Sequence, residues 1–355
     1  MAVVKNFLVL ANINDTAGVG EVPYRVQWSG FENITQWGTS AANQSDYEDL
    51  EENGGAIKGI IGGEQGIIIR EHAIHRMTYV GSPSVFQFDL VEANKGTFIP
   101  GSIMQIGNLI AYIGEDGFYM FDGTKSVPIG ASKINKFFYE NFDTGYKNRV
   151  TVAIDNNNPI LYWSYPAAGN TAGAPNQMLA YNMDPNSTKR WSYINPSQGI
   201  EAIFNTLTPG YTLETLDTVS TNIDTLTPTL DSNVWKGGNS RFSAINSSGQ
   251  LVDFSGDVES AVIETPEFEI NEGYRTKVLC VKPIIDGAAT LTIEIGTRNL
   301  LSETVTYSSP ITLSSDGFFN LRQDARYHRF RFSTSGAFND IQGFQLIDSV
   351  KTGVR

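Results

Sequence analysis

The chain has a single cysteine, Cys280, in 355 residues. That excludes an intrachain disulfide and a cysteine-based zinc cluster. Its neighbours Val278, Leu279 and Val281 mark it as a small buried hydrophobe rather than a reactive thiol. Charge is also scarce: 18% of residues are Asp, Glu, Lys or Arg, against roughly 25% in an average soluble domain. No stretch approaches the ~20 apolar residues of a membrane-spanning helix. The apolar start, residues 1–11, is too short for a signal peptide and lacks a small-residue cleavage site, so a strand is expected there. Helical periodicity is nearly missing. The exception is residues 132–142, where Ser132 is the expected N-cap and Ile134, Phe137, Phe138 and Phe142 recur at helical spacing.

What is abundant points to strands. Hydrophobic residues make up 41% of the chain, with 34 Gly, 20 Phe and 15 Tyr. Such a composition supplies a packed core and tight turns and excludes a disordered chain. Short strand-like segments bounded by Gly, Asn and Asp fall at 7–11, 24–28, 57–61, 66–70, 74–80, 102–105, 109–113, 117–121, 150–155 and 160–165. A loose repeat of roughly 40 to 50 residues lies in the range of propeller blades. Its clearest element, residues 117–123, is echoed at 249–256: a Gly, a short strand ending in an aromatic, and a closing Gly. Blade-like segments are drawn at 4–50, 51–95, 96–150, 151–198 and 199–262, with the blade number left open. After Ile263 the pattern changes to longer alternating strands at 275–283, 289–297 and 327–333, with turns at Asp286-Gly287 and Asp316-Gly317. The expected fold is all-β: a β-propeller-like meander over residues 1–263, then a C-terminal β-sandwich or jelly-roll-like module over 264–355.

Catalytic signatures fail one by one. Asp143-Thr144-Gly145 matches the aspartic-protease triplet, but that chemistry needs a second carboxylate and no second copy exists. The expected use is a turn after the helix, with Gly145 as its C-cap. His72 and His75 fall in a hairpin, one in the turn and one on the return strand, with no further ligands nearby. His328 lies in a strand. There is no nucleophile elbow, no Walker loop, and the glycines at 59–66 lead into a strand instead of a helix. The acidic run Asp46, Glu48, Asp49, Glu51 and Glu52 lacks calcium-loop alternation and is expected to be a solvated loop. No catalytic residue, cofactor or metal is expected, and the chain is not expected to be an enzyme. Its formal net charge of -13 disfavours tight nucleic-acid binding by a broad basic face.

Several segments carry a resemblance. Residues 24–30 with Trp37, residues 76–81 with 86–88, residues 114–123, residues 190–193, and residues 325–331 with 343–344 resemble elements of virion structural proteins of tailed bacteriophages. The likeness covers most of the chain and is weakest over 205–235, a Thr-rich stretch expected to be an insertion. It most resembles the β-propeller tail nozzle proteins of short-tailed phages. That resemblance implies a ring of identical subunits, a hexamer, below the portal and its adaptor (head-to-tail connector) proteins. The ring closes and conducts the genome channel, beside tail fibres or a tail needle. Viral DNA then passes without specific binding, along an acidic wall that offers phosphates no cation to hold. The implied location is the virion tail, and the host cytoplasm during assembly. Family members usually have more sequence before the element that begins here at Ala2, so a late C-terminal strand is expected to complete the first blade. Arginines crowd the chain's end (Arg322, Arg326, Arg329, Arg331 and Arg355). Arg326, Arg329 and Arg331 are candidate subunit-interface residues, able to pair with an acidic neighbour; a solvated strand face is the other use. Two other functions stay open: a receptor- or glycan-binding tail propeller using Trp28, Trp37, Trp163, Trp191 and Trp235, and a glycoside hydrolase of unrecognised type.

Overall fold

Period-2 alternation and glycine turns, with little helix, set the backbone almost throughout. The structure, a computed structural model, describes residues 1–353 apart from 16–19, 171–172, 187–189, 197, 209, 217–218, 221, 223–231, 255–259, 288–289 and 337. Arg355, part of the 205–235 stretch and the end of the 249–256 echo lie outside the described residues. Two compact units appear, Met1–Phe254 and Ser255–Arg355. The expected boundary at 263/264 falls inside a strand of the second unit.

In the first unit, strands pair antiparallel in chain order, sheet after sheet. The first sheet is β1 (Ala2–Val4), β2 (Phe7–Asp15), β3 (Gly20–Trp28) and β4 (Asp46–Asp49). The second is β5 (Ile57–Ile61), β6 (Gln65–Arg70), β7 (Ala73–Gly81) and β8 (Val85–Ala93). β9 (Met104–Ile106), β10 (Leu109–Ile113), β11 (Phe118–Phe121) and β12 (Ser126–Pro128) form the third. A seven-residue helix, α1 (Asn135–Asn141), follows. The fourth sheet is β13 (Thr151–Ile154), β14 (Ile160–Tyr165), β15 (Gln177–Asn182) and β16 (Trp191–Ile194). The fifth has three strands, β17 (Ile200–Leu207), β18 (Ser240–Asn246) and β19 (Leu251–Asp253), with a four-residue helix, α2 (Leu213–Leu216), between its first two.

Each sheet shares a core with the next, because adjacent residues on one strand face opposite ways. On β6, Ile68 packs with Trp28 and Val26 of the first sheet, while Ile69 packs with Ile110 and Tyr112 of the third. On β10, Tyr112 faces the second sheet, whereas its neighbour Ile113 joins Leu161 and Trp163 of the fourth. On β15, Leu179 faces the third sheet and Met178 meets Phe242 and Ala244 of the fifth. Inner sheets are thus buried on both faces, which is why β6 contains Ile67-Ile68-Ile69 in place of a polar alternation. The echo at 117–123 and 249–256 is positional, since β11 and β19 are both third strands of their sheets.

Several local expectations are corrected. Residues 1–11 form a tight hairpin, with Val4 opposite Phe7 and Lys5 at positive φ. Among the described residues the first sheet is built from residues 2–49, and the last strand, residues 338–353, pairs inside the second unit. Ser132 is not the N-cap of α1: it has φ +58, and the Gly130 carbonyl accepts from the N–H groups of Lys133, Ile134 and Asn135. Gly145 is not a C-cap. Asp143 instead caps the 3-10 helix Thr144–Arg149, accepting from Gly145 N at 3.0 Å. The acidic run begins as edge strand β4, which pairs with β3 on one side.

The second unit contains β20 (Val262–Glu264), β21 (Phe268–Glu269), β22 (Arg275–Gly287), β23 (Thr290–Arg298), β24 (Thr306–Tyr307), β25 (Ile311–Thr312), β26 (Phe319–Ala325), β27 (Tyr327–Ser335) and β28 (Phe338–Gly353). One sheet runs β20-β27-β23-β24, with β21 also on β27 and β25 on β23. The other runs β26-β22-β28. Val278, Val281, Phe319 and Leu321 of the second sheet pack on Leu291, Ile293, Ile295, Phe330 and Phe332 of the first, a sandwich core. Asp286 and Gly287 end β22 and do not form the turn themselves. Cys280 is half-buried, at a register shift between Val278 and Cys280, because the bulge turns it out of the core.

Candidate interaction surface

Alternation along β27 sends His328, Phe330, Phe332 and Thr334 inward and leaves Arg329 and Arg331 on the outer face, with Arg326 just before the strand. Register then decides their partners. Arg331 stands opposite Glu264 of β20 on one side and Glu294 of β23 on the other. Its guanidinium lies 3.2 Å from Glu264 and 3.5 Å from Glu294, and 3.9 Å over the Tyr307 ring. Arg329 pairs with Glu264 at 2.8 Å and donates to the Thr265 carbonyl at 3.2 Å. Arg326 pairs with Glu269 at 3.0 Å. Nearby, Arg298 grips Glu267 with two bonds, at 2.5 and 2.6 Å. The Tyr307 hydroxyl donates to Glu264. Although burial pushes the Glu264 carboxyl up, the Tyr307 hydrogen bond and the guanidinium groups of Arg331 and Arg329 hold it below its ordinary value.

All three candidate interface arginines are therefore ion-paired within their own sheet. An acidic neighbour would compete with Glu264, Glu269 and Glu294 for them. These side chains are about a third exposed, where a single pair contributes roughly 0.2–1 kcal/mol. The network fixes orientation more than it stabilises. The alternation of Arg with Phe over residues 326–332 shows the two faces of the strand. Sequence reasoning missed the counter-charges Glu264, Glu267, Glu269 and Glu294, and with them Arg298 and Tyr307, because only strand register brings them there.

A second polar cluster is buried in the second sheet. The Arg70 side chain, 1% exposed, donates from Nε to the Gly55 carbonyl at 3.0 Å and from Nη2 to the Glu52 carbonyl at 2.9 Å. His75, on β7, is also buried, with Nε2 3.6 Å from Glu52. His72 sits in the preceding turn, as its position in the sequence implied, with its ring against Phe98. Among the described residues no group of three or more His, Cys, Asp or Glu is placed to hold a metal ion. A polar depression lined by Arg298, Asn299, Glu303, Thr306 and Asp324 has its charged groups already engaged: Glu303 accepts from two backbone N–H groups, and Arg298 donates to two carbonyls besides Glu267.

The tryptophans are used mainly inside. Trp28 and Trp163 are core residues, and Trp191 stacks on Trp163 at 5.7 Å while donating to the Ile129 carbonyl. Trp37 and Trp235 are half-buried.

No family model matches the chain, and no curated protein matches it. Among solved structures it is similar to the dihydro-heme d1 dehydrogenase NirN, with 8% identity and a TM-score of 0.34, over 91% of this chain. The chain spans 57% of the NirN chain. It is also similar to an exo-beta-1,3-galactanase from Phanerochaete chrysosporium, with 8% identity and a TM-score of 0.28, over 96% of this chain and 99% of that one. A glycoside hydrolase is similar at 10% identity and a TM-score of 0.22, over 96% and 94% of the two chains. These neighbours are enzymes. Likeness at such scores carries no argument about what this chain does.

Proposed function

We propose that the chain is a structural subunit of a bacteriophage tail, a nozzle subunit whose copies form a ring that closes and conducts the genome channel. One observation supports this most. Three of the segments that resemble phage virion proteins include the third strand of three successive sheets: residues 24–28 on β3, 76–81 on β7 and 118–121 on β11. Residues 86–88 and 191–193 fall on the fourth strands β8 and β16, so the support for a reading as blades comes from the three segments that share one place in the repeat. In this reading the sheets are scaffold, and no residue is assigned a catalytic role.

Electron cryomicroscopy of virions that carry the chain, with the subunit tagged, tests the proposal. Density in a sixfold ring on the tail axis below the portal is the expected result. Copies at peripheral threefold positions would favour the receptor-binding alternative, and absence from purified particles would reject a tail role.

A further inference from the structure

β21 is a short strap on the edge of the sandwich. It consists of Phe268 and Glu269, and it pairs with β27 at two positions, Phe268 opposite His328 and Glu269 opposite Tyr327. Pro266 precedes it and has no N–H to give to a ladder, while Gly273, with φ +77, follows it in the turn to β22. β20 is held to β27 more firmly, at three positions and by the Thr265 N–H on the Phe330 carbonyl. The strap carries two ion pairs on its outer side: Glu267 takes Arg298, and Glu269 takes Arg326 at 3.0 Å. Its inner ring, Phe268, lies 5.8 Å from Phe330 and is still 37% exposed.

Beside Phe268 stands His328, fully buried and without a hydrogen bond at either ring nitrogen. Every element around it leaves a proton there unmatched. Thr297 of β23 is its other neighbour in the sheet. Across the sandwich lie Thr276 of β22, whose carbonyl is near the ring, and Ala325, opposite Thr276 on β26. Lys351 of β28 also stands opposite Thr276, with its Nζ 4.7 Å from the Tyr274 ring, and adds charge of the wrong sign. Asp324 is the carboxylate that acts on the ring, and it is already shared with Arg275 at 3.2 Å and with the Thr352 hydroxyl. Glu267, Glu269 and Arg298 adjoin these positions on the outer face. Burial keeps the ring neutral in the closed sandwich.

We propose that β21 is an acid-released strap: a proton on His328 opens it from β27 and so parts Arg326 and Arg298 from their carboxylates. A buried imidazolium without a counter-charge in hydrogen-bond reach drives the opening, and two ladder pairs are all that hold back water on this side. The ion pairs oppose it weakly, since partly exposed pairs contribute little. Arg326 is one of the three candidate interface residues, so acid unmasks it for an acidic neighbour. That use rests on the ring-subunit reading; the release of the strap does not.

Hydrogen exchange of the full chain tests this, read by mass spectrometry from about pH 7.5 to about pH 5 and corrected for the intrinsic pH dependence of exchange. The opened strap lets His328 titrate at the ordinary histidine value of about 6.5, so its open population should rise about thirtyfold by about pH 5. Residues 267–270 should exchange faster by that factor, while residues 291–295 in the sandwich core keep their rate. Carboxylates stay largely ionised over this range, which leaves histidine as the titrating group. In His328→Leu and His328→Gln, checked for folding by circular dichroism, exchange of the strap should not depend on pH. Equal acceleration of residues 267–270 and 291–295 would mean that the whole sandwich opens, and the strap is then no separate device. The inference also fails if residues 267–270 do not accelerate, or accelerate alike with and without the histidine. Each of these failures leaves the ring-subunit reading to the test given above.

Discussion

Arg70 is among the largest fully buried side chains of the molecule, and its charge is met by carbonyl dipoles, with Glu52 and Glu71 close enough to support it. Burial lowers its pKa, against the pull of those two carboxylates, yet an arginine stays charged. Its role is to hold the turn that enters the second sheet. Gly54 lies flat on the guanidinium, and a Cβ there would come within 2.5 Å of Cζ. Arg70→Ala should cost about 2–4 kcal/mol, and Gly54→Ala should cost about 1–3 kcal/mol, in urea denaturation followed by tryptophan fluorescence. The double variant should cost less than the sum, since the clash needs the guanidinium. Histidine provides the second prediction at this scale. His328 is fully buried between the sheets of the sandwich and neither ring nitrogen makes a hydrogen bond. Burial holds its pKa below the ordinary value, although the carbonyls of Thr276 and Gln323 and the charge of Asp324 pull it up from outside hydrogen-bond geometry. The unfolded chain then binds a proton that the folded one refuses. Stability is complete above about pH 6.5 and falls as the pH drops through that value toward the lowered folded pKa. His75 shifts the same way, through burial first and Arg70 second. His328→Leu should lose less stability than the unaltered chain between about pH 7 and pH 5. An identical loss would show that His328 is not one of the groups responsible.

At the scale of elements, the helix shows how far a pattern of residues reaches. Phe137 and Phe138 adjoin on α1, yet Phe138 is fully buried against Phe118, Phe142 and Tyr165, while Phe137 is half-buried against Tyr193. Phe138→Ala should cost about 3–5 kcal/mol, and Phe137→Ala clearly less, in the same denaturation assay. The apolar spacing of residues 134–142 was legible in advance, because burial on one face of a helix repeats every three or four residues. The start of the helix was not, because Ile134 stands at the N-cap without a side-chain hydrogen bond, and the N–H groups of Lys133, Ile134 and Asn135 go to the Gly130 carbonyl in place of the Ser132 hydroxyl. Strands were legible for a similar reason. The five blade-like segments drawn from the loose repeat, with their number left open, each hold one sheet of the first unit, since a meander needs a turn after every few residues. The arginines at 326, 329 and 331 were legible as residues of an outer strand face but not as members of an ion-pair network. Their partners on β20, β21 and β23 lie 37 to 67 residues away in sequence.

At the scale of the whole molecule, two units with separate cores predict two unfolding events. The sandwich core around Ile293, Phe330 and Phe332 belongs to the second unit alone, and the four shared cores of the meander belong to the first. Scanning calorimetry should therefore resolve two transitions. Phe330→Ala, at an expected cost of about 3–5 kcal/mol, should lower only one of them. A single transition that moves as a whole would mean that the units unfold as one.

The sequence by itself determined an all-β chain, because glycine turns and period-2 alternation are local and need no partner to be read. It also determined the succession of sheets in the first unit, since each of those is made from strands consecutive in the chain. Tertiary structure alone decided which face of each strand meets which neighbour, so that Ile68 and Ile69 serve two different cores. It alone placed Glu264 between two arginines, and it gave the C-terminal strand to the sandwich instead of the first sheet. The reason is physical: pairing between distant strands is fixed by register and burial summed over whole sheets, and no short window of residues contains that sum.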